Sequence, residues 1–265
     1  MINEKIKEKV KLSVCIIVYN EEIIKRCLES FYDIVNEIIV VHDGPCKDNT
    51  LKIAAKYTKK IYIRPRIGGC EGHYEFTREK VKNEWFMFID ADEYFSKELR
   101  ENIGKLILDK NVDAYEILWP TFCNGKELIL GFKKKQYKRV LFRKNTVSFK
   151  GLLHEKRVVN GVVKNADYPL IHKPSADMFS KEYIEKKVKW ADVAATMFAK
   201  KQKLKSARYY FLKAPLWFVL YVLYLMIIKM YFISGILGIR YALMYARYQF
   251  RFNMNLYKII KYGDL

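Results

Sequence analysis

The chain is poor in the residues that build disulfide frameworks and metal clusters. Its 265 residues include five cysteines and four histidines. Cys15, Cys27, Cys46, Cys70 and Cys123 are irregularly spaced, with no C-x-x-C pair. An odd, scattered set of thiols argues against a disulfide scaffold or a structural zinc site and fits a reducing cytosol. There is no G-K-[ST] phosphate loop, and no G-x-G-x-x-G follows the first apolar run, which argues against a P-loop NTPase and against NAD binding. The opening MINEKIKEKVK lacks the apolar run of a signal peptide, so the sequence predicts a protein that is not exported. No internal repeat or low-complexity tract occurs. Acidic residues are scarce: 29 Asp and Glu stand against 49 Lys and Arg, a net charge of +20. That excess calls for an anionic partner, which is nucleic acid, an anionic membrane surface or a phosphorylated substrate.

What is present suffices for a core, because 51% of the residues are hydrophobic and 15% aromatic. The charge is unevenly spread. Residues 200–265 hold twelve of the cations and one acid, Asp264. The same region carries the longest apolar stretch, Ala214–Ile228, which Lys229 interrupts. Fifteen uncharged residues fall short of the roughly 20 that cross a bilayer. With Tyr, Trp and basic flanks, the stretch reads as interfacial or re-entrant helices on an anionic leaflet, with a buried helical pair of a soluble oligomer as the alternative.

The first hundred residues alternate strand and helix. Leu12–Val18, Ile38–Val41, Ile61–Ile63 and Trp85–Ile89 are short apolar runs of the kind buried in parallel sheets. Asn20 is a candidate cap for the first helix, with Glu21 and Glu22 suited to its positive end. Asp48 or Asn49 caps a helix expected to run to Tyr57, and a helix to about Lys82 follows the Gly68–Gly72 loop. Ser96 and Ser180 cap later helices, the second of about 20 residues. Ala114–Trp119, Arg139–Arg143 and Arg157–Val163 predict an antiparallel extension of the sheet. Ligands of such sheets bind beyond the carboxyl ends of the strands, where Tyr19, Asp43 and the Asp90–Glu93 cluster fall.

Asp90-Ala91-Asp92 places two hard oxygen ligands after a buried strand, a pattern suited to magnesium or manganese on phosphates, or else a solvated acidic turn. Asp43 is either an acceptor for a nucleotide base or the organiser of its own Asx turn. Tyr19 lies against a base or caps the core edge. Arg78 pairs with phosphate or is an exposed helix charge. His154 and Glu155 are a candidate general base or a surface polar pair. His172 is a further metal ligand or a core-edge histidine. The cations of Lys133–Lys135 and Lys138-Arg139 read chiefly as a solvated loop.

SVCIIVYNEE, EIIVVHDGPCKDNT, the Gly68–Arg78 loop and helix, and WFMFIDADEYFSKEL together resemble the family 2 glycosyltransferases, most strongly over residues 11–108. LFRKNTVSFKGLLHEK and the basic apolar C-terminal region are similar to the subgroup that builds lipopolysaccharide core and other cell-surface glycans. The resemblance implies a GT-A-type α/β fold with a mixed central sheet, in which residues 1–175 form the catalytic domain. Its nucleotide-sugar half spans about 11–108 and its acceptor half about 109–175. Residues 176–265 form a helical, membrane-associating region. It also implies an inverting transferase that moves a sugar from a nucleotide-diphosphate sugar, UDP by default, to a glycan or lipid-linked acceptor.

The nucleotide is then expected against Tyr19, Asn20, Glu21, Asp43, Arg78, Asp90 and Ala91. A manganese or magnesium ion is expected on Asp90, Asp92 and His172. The base is Glu155, or His154 beside it. Two departures from the family pattern stand out: there is no E-D base motif or later Q-x-x-R-W, and the usual D-D-G-S turn is His42-Asp43-Gly44-Pro45. The implied place is the cytoplasmic face of the cell membrane, with a homo-oligomer left open and no nucleic acid partner. The competing functions are a catalytically silent membrane scaffold and, behind it, a nucleic-acid-binding protein.

Overall fold

A computed structural model describes residues 8–128, 135–149, 157–173 and 177–263. The chain divides into two compact units. The first comprises Met1–Pro120 and Gln136–Ser175, the second Thr121–Lys135 and Ala176–Leu265.

In the first unit the chain alternates β1 (Val10–Val18), α1 (Ile24–Glu29), β2 (Val35–Asp43), α2 (Thr50–Ala54), β3 (Ile61–Arg64), α3 (Tyr74–Lys80) and β4 (Trp85–Ile89). There follow β5 (Glu93–Phe95), α4 (Lys97–Leu108) and β6 (Ala114–Leu118). Of the next strands, β7 (Phe122–Cys123) and β8 (Lys126–Glu127) belong to the second unit. The first unit resumes with β9 (Tyr137–Arg143), β10 (Val147–Ser148), β11 (Val158–Val159), β12 (Val163–Ala166) and β13 (Leu170–His172).

The central sheet has the order β12-β6-β9-β4-β1-β2-β3. Strands β3, β2, β1 and β4 run parallel, β9 lies antiparallel between β4 and β6, and β12 is parallel to β6. This is the α/β architecture with a mixed central sheet that the sequence predicts. Alternation within the strands explains its two covered faces. Leu12, Val14, Ile16 and Val18 of β1 share one core with Trp85, Met87 and Ile89 of β4, under Leu28 of α1 and Leu99 and Ile103 of α4. Cys15, Ile17, Phe86 and Phe88 face the opposite core with Tyr74 of α3. The chain leaves β1 toward β2 on one side, while β4 lies on the other. A switch point therefore opens between the carboxyl ends of β1 and β4.

Several local expectations are corrected. Asn20 does not cap α1: it adopts the left-handed conformation (φ 49°), and its side chain accepts from Lys47 N at 2.9 Å instead. Helix α2 ends at Ala54 and α3 at Lys80. The run Arg157–Val163 is two strands, because Gly161 breaks it. Its φ is +148°, and a Cβ there would lie 2.1 Å from Asp113 Oδ2, which accepts from Val162 N at 2.8 Å. Ser96 and Ser180 do cap their helices, accepting from Leu99 N and Tyr183 N.

In the second unit, β7 and β8 form a hairpin on Asn124-Gly125, both at positive φ. Asn124 ties it to the chain ahead of the next helix, donating to Asp177 Oδ1 at 2.6 Å and accepting from Met178 N at 3.0 Å. Helices α5 (Lys181–Lys201), α6 (Ala207–Leu223) and α7 (Gly235–Tyr262) follow, with α5 and α6 both packed on α7. Helix α6 continues through a π turn, Tyr224–Ile228, into a 22-residue run, Ala207–Ile228, that is long and apolar enough to cross a membrane. Reading only the uncharged residues understates its length, because the helix continues through Arg208 and Lys213. Most of it faces outward: Leu216, Val219, Leu220, Leu223, Ile227 and Ile228 are exposed.

Candidate active site

The carboxyl ends of β1, β2 and β3 carry a linked group. Asp43, at the end of β2, is buried, and both its carboxylate oxygens are engaged. Oδ1 accepts from Ile67 N at 2.6 Å and from His73 Nε2 at 2.9 Å. Oδ2 accepts from Gly68 N at 3.0 Å and from Arg66 Nη1 at 2.8 Å. Burial alone would raise the Asp43 pKa, but these donors more than offset it and hold the carboxyl below its ordinary value. The guanidinium of Arg66 in turn lies over the ring of Tyr19, 3.4 Å from its centroid. Arg66 thus links Asp43 to Tyr19, and Asp43 spends its acceptors on the 66–68 loop and His73.

Neighbouring histidines have defined tautomers. His73 donates through Nε2 to Asp43, while Nδ1 faces Arg64 Nη1, which can only donate, at 3.3 Å. His42 has the opposite arrangement: Nδ1 lies 2.6 Å from Gly44 O, an acceptor, and Nε2 accepts from Asn20 N at 3.2 Å. Glu21 N donates to Thr50 Oγ1 at 2.7 Å. Asn20 and Glu21 therefore join the exit of β1 to the loop that leaves β2.

A second group forms where β4 ends. Glu93 is fully buried and acts as its hub. One oxygen accepts from Trp119 Nε1 and Lys138 Nζ, each at 2.6 Å, and the other accepts from Asp90 N at 2.9 Å. Lys138 Nζ also donates to Asp90 Oδ2 at 2.6 Å. Burial pushes the Glu93 carboxyl up, with the charge of Asp90 adding to the effect. Burial opposes ionisation of Asp90 as well, but the Lys138 ammonium outweighs it and the pKa falls. Asp90 keeps 48% of its side chain in solvent, so it presents charge outward while Glu93 anchors it from beneath.

Asp92 and His172 meet on the same rim. Strand β13 pairs antiparallel with β5 so that His172 lies opposite Glu93. His172 Nε2 is 3.1 Å from Asp92 Oδ2, and its ring stacks on Trp119 with centroids 5.0 Å apart. The Asp92 backbone is clamped as well: its carbonyl accepts from Arg26 Nη2 at 3.3 Å and from Lys173 N at 3.1 Å.

Asp92 Oδ2 and His172 Nε2 lie 3.1 Å apart as a hydrogen-bonded pair, a spacing that adjacent ligands of an octahedral ion with bonds of roughly 2.1 Å would also show, about 3.0 Å. Among the described residues no group of three His, Cys, Asp or Glu side chains is placed to hold an ion. Magnesium bound with a phosphorylated substrate needs only one or two protein carboxylates, the phosphates and water supplying the rest.

Not every expected residue joins the site. Helix α3 runs back against the strands, with Tyr74 beside Phe88 near the carboxyl end of β4. Arg78, one turn on, therefore lies at the amino end, where it pairs with Glu75 and donates to Lys144 O at 3.2 Å. The geometry moves it away from the carboxyl end of β4 and from Asp90. Arg157 lies at the carboxyl end: it donates to Tyr74 Oη at 2.8 Å, lies over the Tyr74 ring, and acts electrostatically on Asp90. Ala91 is buried between the two aspartates. His154 and Glu155 lie outside the described residues. Burial pushes the Cys70 and Cys27 thiols up, so neither supplies a ready thiolate.

Sequence reasoning passed over Arg157, Trp119, Arg66 and His73, and it read Lys138 as a loop cation, whereas Lys138 lies in β9 and its ammonium joins Asp90 to Glu93. Tyr137–Arg143 does not alternate: Val140, Leu141 and Phe142 are all buried, Val140 and Leu141 in one core and Phe142 in the other.

The profile of glycosyl transferase family 2 matches residues 13–149, just over half of the chain. A Rickettsia bellii protein named only as an uncharacterized glycosyltransferase is 38% identical over 106 residues, covering 40% of this chain and 35% of the relative. The aligned stretch thus spans about a third of that relative's length. Another uncharacterized glycosyltransferase, from Rickettsia typhi, is 29% identical over 248 residues, covering 89% of this chain and 83% of the relative. Among solved structures, glucosyl-3-phosphoglycerate synthase of Mycobacterium tuberculosis, in complex with Mn2+ and UDP-glucose, has a TM-score of 0.48 at 14% identity. That match covers 74% of this chain and 80% of the other. By the match over residues 13–149, this chain belongs to glycosyl transferase family 2.

Proposed function

We propose that the chain is an inverting glycosyltransferase that moves a sugar from a nucleotide-diphosphate sugar to a cell-surface glycan or lipid-linked acceptor. The observation that carries this reading is the half-open Asp90, set at the switch point with Asp92 and His172 and flanked by the cations Lys138 and Arg157. A mixed set of fixed carboxylates and cations suits a metal–diphosphate, which carries both signs of charge.

Asp92 and His172, with Asp90 beside them, would hold the divalent ion. When bound, the ion neutralises the diphosphate and so favours its departure. Lys138 and Arg157 add fixed positive charge on the same side. Tyr19, with Arg66 over its ring, offers a planar shelf for the nucleoside, and Asp43 holds the 66–68 loop that walls it. Glu155, or His154 beside it, takes the proton of the acceptor hydroxyl. The acceptor oxygen bonds to the anomeric carbon as the bond from that carbon to the diphosphate breaks, and the electron pair leaves with the nucleoside diphosphate. One displacement inverts the centre and needs no enzyme nucleophile.

In this reading residues 1–175 supply the chemistry and 176–265 the attachment to the cytoplasmic face of a membrane. The exposed apolar helix Ala207–Ile228 and the surplus of cations around it support that attachment.

The test is a calorimetric titration with UDP, GDP and CDP, each with and without manganese. The expected result is metal-dependent binding of one nucleotide, UDP by default, abolished by Asp90→Ala with Asp92→Ala. Absence of binding by every nucleotide, with the protein shown to be folded, would leave the silent-scaffold reading.

A further inference from the structure

The second unit contains a groove that the transfer reaction does not use. It runs between α5 and α7 and encloses a cavity of about 260 Å³. Its floor is apolar, built from Ile184 and Val188 of α5 and Leu243 and Met244 of α7. These residues recur at helical spacing and so line the facing stripes of the two helices. Three cations border the floor, Lys187, Arg240 and Arg247, with no acid among the lining residues.

None of these three cations makes an ion pair among the described residues. Arg251, one turn beyond Arg247, does pair, with Asp192 at 3.0 Å. Aromatic rings hold two of the three instead. The Arg240 guanidinium lies 4.0 Å from the Phe179 ring centroid, and Lys187 Nζ lies 5.4 Å from the rings of Tyr183 and Trp190. Such contacts orient a cation without cancelling its charge. Asp177 lies within electrostatic reach of Arg240 without an ion-pair contact among the described residues, and its Oδ1 accepts from Asn124 Nδ2 and Phe179 N.

We infer that this groove binds the phosphate headgroup of an anionic membrane phospholipid. The cations complement the phosphate, and the apolar floor receives the first carbons of the lipid. The volume lies below the roughly 300–1,000 Å³ of a site that encloses a whole small molecule. It therefore suits an occupant whose remaining bulk stays outside, in the bilayer. The neighbouring surface agrees. Phe232, Ile233, Ile236 and Ile239 are exposed in the segment that leads to Arg240, Ile236 by 78%. An apolar tip followed by cations is the order met on passing from acyl chains to headgroups. A polar, base-stacking surface for nucleic acid would not carry this floor.

The inference rests on the proposed membrane attachment and adds to it a discrete site. Two probes test it with the full chain. Dihexanoyl-phosphatidylglycerol, kept below its micelle concentration, should bind saturably, one per chain, in a calorimetric titration. Glycerophosphoglycerol, the same phosphodiester headgroup without acyl chains, should bind at least about tenfold more weakly, because the apolar floor adds to the affinity. Arg240→Gln with Arg247→Gln should lower the affinity for vesicles of phosphatidylcholine with phosphatidylglycerol by about tenfold or more, since each cation near an anionic leaflet contributes appreciably. Lys56→Gln with Lys59→Gln, two exposed lysines of the first unit, removes the same charge outside the groove and should cost far less.

Equal losses from the two pairs, or no saturable binding of the monomeric lipid, would overturn the site while leaving general membrane attraction standing. Failure of the unaltered chain to bind anionic vesicles would overturn the attachment itself, and the site with it. Neither result bears on nucleotide binding.

Discussion

The ammonium of Lys138 lies 2.6 Å from Asp90 Oδ2 and 2.6 Å from Glu93 Oε1, so one cation joins a half-exposed carboxylate to a sealed one. Lys138→Met strands the charge of Glu93. Breaking a fully buried pair costs about 3–5 kcal/mol. The loss here should be smaller, because Lys138 retains 21% exposure of its side chain. Glu93→Gln in the Lys138→Met background should restore most of that stability, since neither group is then left charged and alone. Affinity for the nucleotide should not return, because Asp90 is still without its tether. Chemical denaturation and nucleotide titration of the two single variants and the double variant measure both effects.

Asp43 gives the fold a defined response to acid. Its folded pKa lies below the ordinary value of about 3.9. A carboxyl depressed on folding stabilises the protein above its unfolded pKa, and that contribution fades as the pH falls through the folded value. Asp43→Asn leaves two of four donors unsatisfied, because the amide nitrogen cannot accept. The variant should be less stable at neutral pH by about 1–3 kcal/mol. The gap between variant and parent should narrow on titration from pH 6 toward pH 3. A gap that stays constant with pH would show that the charge of Asp43 does not matter.

Gly238 marks the close approach of the segment Tyr231–Ser234 to α7. A Cβ at this position would lie 1.9 Å from the carbonyl oxygen of Tyr231. Backbone cannot yield as a flexible side chain does, so Gly238→Ala should destabilise the protein by about 1–3 kcal/mol. Gly263→Ala provides the contrast. It meets no atom within 4 Å, but its φ of +74° leaves a smaller cost from the left-handed backbone. Thermal unfolding followed by circular dichroism ranks the two.

Much of this was legible in the sequence, and what was not has a physical cause. The strand ends announced Tyr19, Asp43 and Asp90–Glu93, because short apolar runs that stop at polar residues define both strand and exit. The meeting of His172 with Asp92 depends on β13 pairing with β5 across about 80 residues of chain, and no local pattern encodes it. Lys138 sits within YKRVLFR, where a loop cation and a buried strand cation look alike until the sheet is closed. Arg78 misled because its place on α3 was inferred from the glycine loop before it, whereas the helix direction carries it to the wrong end of β4. Asn20 has a cap-forming side chain, but a left-handed backbone directs it to Lys47.

Asp92 and His172 should govern metal dependence more than folding. Both side chains are partly exposed, 30% and 21%, so Asp92→Asn and His172→Gln should leave the melting temperature nearly unchanged. Each removes one of the three candidate protein donors, so the manganese concentration for half-maximal nucleotide binding should rise tenfold or more. Manganese paramagnetic resonance with the nucleotide present reads this directly. Unchanged manganese affinity in both variants would remove the pair from the metal site.

The two arginines offer the sharpest separation of sequence expectation from geometry. Arg78 and Arg157 carry the same charge, and either would serve a diphosphate if placed near it. Arg78 lies at the amino end of β4 against Glu75 and Lys144. Arg157 lies against Tyr74 and within electrostatic reach of Asp90 at the other end. Arg78→Ala should therefore leave nucleotide affinity within about twofold and cost only the modest stability of a partly exposed ion pair. Arg157→Ala should weaken the nucleotide by about tenfold to a hundredfold, the worth of one charge-assisted contact to phosphate. Arg157→Lys should recover part of that loss, because the charge returns without the planar fork. A reversed order, with Arg78 dominant, would mean that the donor lies across the amino end of the sheet, and the assignment of Asp90, Asp92 and His172 would fall with it.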